Sequence, residues 1–258
     1  MSTATNLVSL GTIVRREITR ITRIWTQTLI PPAITMTLYF IIFGKVVGSR
    51  IGIVEGGFTY MQFIVPGLVL MSVIMNSYNN VTSSFFGAKF GRYVEEMLVS
   101  PMPNWVILSG YITGAMVRGL CVGVVVLMIA LLFTHLNIAH PLVMLTTAML
   151  TSIVFALAGF VNAVFAKKFD DIAIIPSFVL TPLTYLGGVF YSIKDIGQPW
   201  HALSMADPIL YMVNAFRFGV LGISDINLGV AYGMMVFFVF LLGGFGLFLL
   251  KRGVGMRS

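Results

Sequence analysis

The sequence predicts an all-α membrane protein with six transmembrane helices, and three observations carry this prediction. Hydrophobic residues make up 58% of the 258 positions and charged residues only 10%, a balance too apolar for one water-soluble globule. Several apolar runs reach the roughly 20 residues that a helix needs to cross a bilayer. Basic residues between those runs are distributed unequally, as they are on the two sides of a membrane. Residues 1–258 are therefore expected to form one transmembrane domain.

The amino-terminal segment, residues 1–28, predicts an amphipathic helix on the membrane surface. With about 100° of turn per residue, apolar side chains fall on one side of this helix and arginines on the other. The apolar side carries Leu7, Leu10, Val14, Ile18, Ile21 and Trp25, and the basic side carries Arg16, Arg20 and Arg23. No small-residue cleavage site follows, which excludes a cleavable signal peptide. A solvated or disordered basic tail is the alternative interpretation.

Six apolar segments are expected to cross the membrane as helices. They cover residues 29–47, 61–85, 105–133, 141–165, 172–190 and 229–250. With a cytoplasmic amino terminus, eleven lysines and arginines lie inside and four outside, and only Arg118 lies well within a span. This excess of basic residues predicts the orientation and places both termini in the cytoplasm.

The segment between the fifth and sixth spans, residues 191–226, predicts an outer re-entrant region. Residues 209–222 are apolar enough to enter the membrane but too few to cross it. Asp207 followed by Pro208 is a typical helix start, with an acidic cap and proline at the first helical position. Counting a seventh span here would place the basic carboxyl terminus outside, against the charge rule.

The cytoplasmic segment between the second and third spans, residues 86–100, predicts one amphipathic helix. Apolar and aromatic residues recur at helical spacing, with charged residues displaced from them, and Pro101 and Pro103 end the helix. The apolar series is Phe86, Phe90, Tyr93, Val94, Met97 and Leu98. Such a helix is suited to receive force from a soluble partner, since aromatics supply burial and charges supply register. A loop helix lying on the membrane surface is the alternative.

No catalytic residue, metal site or bound cofactor is expected in this chain. A phosphate loop ending in Gly-Lys-Ser or Gly-Lys-Thr is absent from the sequence, so the chain is not expected to hydrolyse ATP. All nine acidic residues are expected outside the apolar cores, which disfavours proton coupling. Nucleic-acid binding is excluded because the basic residues that produce the net charge of +7 are dispersed among apolar runs.

Polar residues within the spans are candidates for a substrate pathway. They are Asn76, Asn79 and Asn80 in the second span and Thr181, Thr184 and Tyr185 in the fifth. Hydrogen bonding between helices explains these residues equally well. Arg118 must face protein, a watery cavity or an interface that it reaches by snorkelling, and its role is left open. The nearby Gly110, Gly114, Gly119 and Gly123 favour close helix packing.

Two parts of the sequence resemble the permease subunits of type-2 ABC exporters, which include drug, nodulation-oligosaccharide and polysaccharide exporters. One part is FGRYVEEMLVSPMPNWVILSGY, residues 90–111, and the other combines PSFVLTPLTYLGGVFYSIKDI with ADPILYMVNAFRFGVLG. The resemblance implies a homodimer in the bacterial inner membrane, and two separate ATPase subunits that bind ATP and Mg²⁺. It implies ATPase coupling through Phe90, Arg92, Tyr93, Glu95, Glu96 and Met97, and a re-entrant gate containing Gly187, Gly188, Pro208 and Arg217.

The expected function is therefore that of a permease subunit in an ATP-driven exporter. Its substrate is expected to be amphipathic, lipid-like or drug-like, because the candidate pathway is rich in amides and hydroxyls and contains no acidic residue. An ion-coupled carrier and a scaffold without transport activity are the alternatives. Transport that follows a pH gradient after ATP depletion would favour the carrier, and absence of transport with ATPase and ATP supplied would favour the scaffold.

Overall fold

The computed structural model describes residues 3–255, and helices account for most of them. In chain order the α-helices are α1 (Thr3–Arg23), α2 (Trp25–Tyr39), α3 (Gly48–Ile51), α4 (Tyr60–Phe90), α5 (Tyr93–Val99), α6 (Asn104–Phe133), α7 (Pro141–Phe165), α8 (Asp171–Ile175), α9 (Thr181–Leu186), α10 (Trp200–Met205), α11 (Pro208–Leu221) and α12 (Leu228–Arg252). Two π-helical stretches, Phe40–Val47 and Pro176–Leu180, join α2 to α3 and α8 to α9. Within residues 3–255, extended pairing is limited to a single bridge between Ile53 and Thr59.

Five helices are long and apolar enough to cross a membrane, and they coincide with five of the six predicted spans. They are Trp25–Ile51, Tyr60–Phe90, Asn104–Phe133, Pro141–Phe165 and Leu228–Arg252. The remaining predicted span, residues 172–190, forms the shorter apolar helical stretch Asp171–Leu186. At about 1.5 Å per residue this stretch is about 24 Å long, less than the roughly 30 Å of a hydrocarbon core. A sixth crossing therefore stays a prediction.

Helix α4 is the centre of the fold and is buried along most of its length. Glycines on its neighbours allow close approach. A Cβ atom at Gly119 of α6 would lie 2.0 Å from Ser77 Oγ, and one at Gly159 of α7 would lie 2.5 Å from the Tyr78 carbonyl oxygen. Since no side chain fits in these gaps, the small residues determine how tightly α6 and α7 pack on α4.

Helix α1 covers most of the predicted amino-terminal helix but ends at Arg23, because α2 begins at Trp25, and its place on the membrane surface stays a prediction. Residues 1–2 of the predicted segment lie outside the described residues. Helix α1 packs along α6, with Ile13 against Gly110 and Glu17 against Gly114. Its buried side chains are Ile13, Glu17 and Ile21. Much of the predicted apolar side is open, with Leu7 60% exposed. The charged side is therefore in contact with protein, while apolar side chains remain available to lipid.

The prediction of one continuous helix over residues 86–100 is wrong. Helix α4 continues to Phe90, and α5 begins only at Tyr93. Gly91 and Arg92 separate the two helices, and Arg92 adopts a left-handed conformation with φ of 61°. The chain therefore turns at residues 91–92, and the separate helix α5 is only seven residues long.

The predicted helix start at Asp207 and Pro208 is confirmed. Asp207 Oδ1 accepts a hydrogen bond of 2.8 Å from the backbone N–H of Ile209, and Pro208 is the first residue of α11. Helix α11 then packs against α4, α7 and α12. A Cβ atom at Gly219 would lie 2.5 Å from the backbone nitrogen of Met144, so α11 touches the first turn of α7 almost backbone to backbone.

Candidate functional site

A cavity of about 390 Å³ lies between α2, α4 and α9. Its lining residues are Gln27, Pro31, Pro32, Thr35, Met36, Tyr39, Met71, Ser72, Met75, Asn76, Asn79, Thr181 and Tyr185. None of them carries a formal charge. Amides and hydroxyls therefore share this surface with thioether side chains, which adapt readily to apolar groups of different shape.

Four of the six predicted pathway residues line this cavity, namely Asn76, Asn79, Thr181 and Tyr185. The structure does not bring Asn80 and Thr184 into its lining. The Asn80 side chain is fully buried and accepts a hydrogen bond of 2.7 Å from Arg20 Nη2. Thr184 is also fully buried and donates to the carbonyl oxygen of Thr181 at 2.8 Å.

Sequence reasoning missed the contribution of α2 to the cavity. Gln27, Pro31, Thr35 and Tyr39 all line it, and they are spaced four residues apart. Residues at this spacing lie on one side of a helix, so the polar members of the series were a detectable signal. Proline at position 31 adds a backbone without an N–H group, which leaves a carbonyl oxygen of the preceding turn without its helical donor.

Aromatic residues adjoin the cavity where Tyr39 and Tyr185 meet. Their hydroxyl oxygens lie 2.8 Å apart in a hydrogen bond. Phe190 stacks on Tyr185 with ring centroids 5.6 Å apart and lies 4.8 Å from the ring of Phe43. Because Asn79 lies toward the other end of the cavity, these rings cover only one end of it.

Three of the four predicted gate residues, Gly187, Gly188 and Arg217, make contacts between α11 and the turn after α9, and Pro208 is the first residue of α11. A Cβ atom at Gly187 would lie 2.7 Å from Cγ2 of Ile209, the residue after Pro208. Gly188 has a φ of 70°, a conformation that L side chains rarely adopt. Its carbonyl oxygen accepts a hydrogen bond of 2.6 Å from Arg217 Nη2. The turn after α9 is therefore held directly against α11.

Arg217 is fully enclosed at this junction, with 1% of its surface exposed. Its guanidinium lies over the ring of Phe63, 4.0 Å from the centroid. Nε and Nη1 have no hydrogen-bond partner. Asp225 provides a favourable charge interaction at longer range. Arg217 thereby links the turn after α9, helix α4 and helix α11.

Helix α5 and its flanks present four of the six predicted coupling residues on the surface. Phe90 and Tyr93 are 66% and 59% exposed, and Arg92 and Glu96 are also exposed. Glu95 is half-buried, and Met97 packs against the core together with the fully buried Val94. The exposed set thus combines two aromatic rings with two opposite charges.

Glu17 lies in α1, outside the candidate membrane spans, yet the fold encloses its side chain. This side chain is 1% exposed and is enclosed by α1, α4 and α6. Its carboxylate accepts hydrogen bonds from Arg16 Nη2 at 3.2 Å, Arg20 Nη2 at 3.0 Å and Ser84 Oγ at 2.7 Å. Arg16 also donates to the Tyr111 hydroxyl at 2.6 Å. These donors occupy the carboxylate, so Glu17 anchors α1 rather than lining an open path.

Within residues 3–255, no three histidine, cysteine, aspartate or glutamate side chains gather in a way that could hold a metal ion. The described chemistry of the cavity is instead that of neutral donors, neutral acceptors and apolar surface. Such a lining can hold an amphipathic molecule through dispersed contacts, without a fixed ionic pair.

Comparison with known proteins identifies a family and several similar proteins. Residues 8–221 match the family described as ABC-2 type transporter. The chain is 53% identical over 251 residues to the inner membrane transport permease YadH of Escherichia coli (strain K12), covering 97% of this chain and 98% of the relative. It is 21% identical over 203 residues to nodulation protein J of Rhizobium leguminosarum bv. viciae, covering 78% of each chain. Nodulation protein J of Neorhizobium galegae is 23% identical over 208 residues, covering 77% and 79% of the two chains.

Proposed function

This chain belongs to the ABC-2 type transporter family and is a transport permease of the inner membrane, and from that premise we propose that it is the membrane half of an ATP-driven exporter. Two copies form one passage. Two separate ATPase subunits bind ATP and Mg²⁺ and supply the energy, since this sequence has no phosphate loop. The passage moves an amphipathic, lipid-like or drug-like molecule out of the cytoplasm or the inner leaflet.

The observation that carries this proposal is the uncharged cavity bordered by α2 and α9. Both bordering segments expose large apolar side chains, with Ile34 and Leu38 of α2 57% and 53% exposed and Phe178 beside α9 77% exposed. A second copy placed against these segments would cover them and enclose the cavity. The homodimer interface therefore belongs beside α2 and the stretch from Asp171 to Leu186.

The lining supports a substrate with neutral polar groups and an apolar portion. Asn79 is exposed within the cavity, whereas Ser72 and Asn76 are largely committed to hydrogen bonds within α4. Asn79→Leu should therefore change which compounds stimulate ATP turnover while leaving the amount of bound ATPase unchanged. Identical stimulation profiles across a panel of neutral and charged amphiphiles would contradict the pathway assignment.

Helix α5 is the proposed handle for the ATPase. Burial of Phe90 and Tyr93 in a pocket of the partner would supply affinity, and the charges of Arg92 and Glu96 would supply register. Closure of the ATPase pair on ATP binding would then move α5 and the ends of α4 and α6 as a rigid unit. Lys89 joins the end of α4 to the end of α7, since its ammonium donates to the carbonyl oxygens of Val164 and Ala166 at 2.6 and 2.7 Å.

The test is co-purification of an ATPase with tagged permease, followed by ATP turnover of the complex in lipid vesicles. The variant combines Tyr93→Ala with Glu96→Arg, both at exposed positions. Trp200→Ala is the control, because Trp200 is a similarly exposed aromatic residue, at 56%, in the predicted outer region. We expect the double variant to lose both bound ATPase and turnover while the control retains them. Unchanged turnover in the double variant would contradict docking at α5.

A further inference from the structure

The contacts between α1 and α6 place Arg118 at the level where the first membrane span begins. Ile13 lies against Gly110 and Glu17 against Gly114, so both helices advance by four residues in the same direction. The next pair in this register is Ile21 with Arg118. Since α1 ends at Arg23 and the first candidate span begins at Trp25, Arg118 lies beside the boundary between the charged helix and the apolar span.

This position changes the environment that is expected for Arg118. Counted from Asn104, Arg118 is about 21 Å along the helix, which suggests deep burial in hydrocarbon. The neighbouring helix at that level, however, carries Arg16, Glu17 and Arg20, groups that belong near water and lipid headgroups. Trp25, 57% exposed just beyond, is typical of the same interface. The first half of α6 therefore runs alongside interfacial residues.

Arg118 has no acceptor of its own among residues 3–255. Its Nε is buried without a hydrogen-bond partner, and the described ion pairs and hydrogen bonds do not include its guanidinium. The nearest carboxylate along α1, that of Glu17, is already held by Arg16, Arg20 and Ser84. Arg20 instead adds a second positive charge near Arg118. The cluster of Arg16, Arg20, Arg118 and Glu17 thus has two more positive charges than negative ones.

The side of α6 that carries Arg118 is only partly covered by the bundle. Arg118 is only partly buried, and Cys121, three residues later, is exposed. Side chains on a helix point toward its amino-terminal end, which for α6 is the end that the basic residues place at the cytoplasm. The guanidinium therefore reaches from the perimeter toward the headgroups of the inner leaflet.

From these observations we infer that Arg118, with Arg20 beside it, binds the phosphate of an anionic phospholipid from the inner leaflet. A guanidinium offers five N–H donors in a planar fork that matches phosphate oxygens, and such charge-assisted bonds are stronger than bonds between neutral groups. Basic pockets between helices on the cytoplasmic side recognise anionic headgroups by the same chemistry. The bound phosphate supplies the negative charge that the described cluster lacks. This inference does not depend on ATP-driven transport.

The experiment measures lipid binding to the purified permease without ATPase or nucleotide. Native mass spectrometry would compare phosphatidylglycerol with phosphatidylcholine of the same acyl chains. We expect wild-type protein to prefer phosphatidylglycerol, and Arg118→Gln to weaken its binding about tenfold, because a charge-assisted pair is lost. Arg118→Lys should retain part of the preference. Arg23→Gln is the matched control, since Arg23 is an exposed arginine at the end of α1, and it should behave as wild type.

An unchanged preference in Arg118→Gln, or an equal loss in Arg23→Gln, would overturn the inference. Displacement of the lipid by millimolar inorganic phosphate would also overturn it, because a site for a membrane lipid must not be satisfied by the free anion.

Cys121 gives a second measurement on unsubstituted protein, since it is the chain's single cysteine. Adding phosphatidylglycerol should slow its reaction with a maleimide by covering this side of α6, and adding phosphatidylcholine should not. Equal protection by the two lipids would contradict the site even if Arg118→Gln fails to fold.

Discussion

Arg118 and Arg217 both lie in apolar helices, yet their surroundings differ in every respect that matters for function. Arg217 is enclosed, donates to the Gly188 carbonyl oxygen and lies over the ring of Phe63. Arg118 is partly exposed and has no described acceptor. Arg217 thus joins two segments of the fold through Nη2 although its Nε and Nη1 have no hydrogen-bond partner, whereas the Arg118 guanidinium makes no described hydrogen bond or ion pair.

The largest difference should be in stability. Arg217→Ala removes a fully buried side chain and leaves the Gly188 carbonyl oxygen without its donor, which should lower the free energy of unfolding by about 3 kcal/mol. Arg118→Ala should change it by about 0.5 kcal/mol or less, because no described protein contact of the guanidinium is lost. Denaturant titration in mixed micelles, followed by circular dichroism, measures both values.

Arg217→Met separates packing from charge at the same position. Methionine fills much of the volume and removes the desolvation cost of the unpartnered Nε and Nη1, so it should cost less than alanine. Equal losses at Arg118 and Arg217 would refute the distinction between them.

Glu17 provides the second test, because its loss would leave Arg16 and Arg20 without their described carboxylate. Glu17→Gln should lower the free energy of unfolding by about 2 kcal/mol. This loss is smaller than that expected on breaking a fully buried ion pair. The side chains of Arg16 and Arg20 are 48% and 30% exposed, so solvent weakens their interaction with Glu17. Glu96→Gln is the control, because Glu96 is exposed on α5. If the two variants unfold alike in the same titration, Glu17 does not anchor α1.

The third prediction concerns Asp207, a buried carboxylate near Arg217 in sequence. Burial raises the pKa of Asp207 from 3.8 to about 6, although its capping bond from Ile209 favours the charged form. The folded state therefore holds a proton between about pH 4 and 6 that the unfolded state releases. The resulting contribution to stability is fully present below about pH 4 and is lost as the pH rises through about 6, amounting to about 3 kcal/mol.

Thermal unfolding at pH 4 and pH 7 measures most of this contribution as the difference between variants. Asp207→Asn keeps a good helix cap and should remove that part of the pH dependence. Asp195→Asn, at an exposed position of the same outer region, should leave the pH dependence as in wild type. The assignment fails if Asp207→Asn retains the full dependence.

The sequence was sufficient for features that depend on local composition. Apolar runs located five long helices within a few residues, and the Asp207–Pro208 pair located the start of α11. The break at Gly91 and Arg92 was missed because helical spacing continued across it, and only a left-handed residue separates α4 from α5. Periodicity alone does not detect one such residue.

The features that were missed depend on which helices meet. Sequence analysis separated the arginines of α1 from its apolar side, but contact with Gly110 and Gly114 brings Glu17 into the core. The same contact places Arg118 beside the end of α1. Counting residues along α6 alone would instead place it deep in the hydrocarbon. The polar residues that line the cavity from α4 and α9 were predicted because they cluster in the sequence. Those of α2 were missed because Gln27, Thr35 and Tyr39 are separated in sequence and come together only on one side of the helix.

The smallest expected effect belongs to the hydrogen bond between Tyr39 and Tyr185 at the edge of the cavity. Side-chain hydrogen bonds in membrane proteins contribute on average only about 0.6 kcal/mol, so Tyr39→Phe and Tyr185→Phe should each lower stability by about that amount. Because both variants delete the same bond of 2.8 Å, the double variant should lose no more than either single one. Additive losses would mean that each hydroxyl has a separate partner.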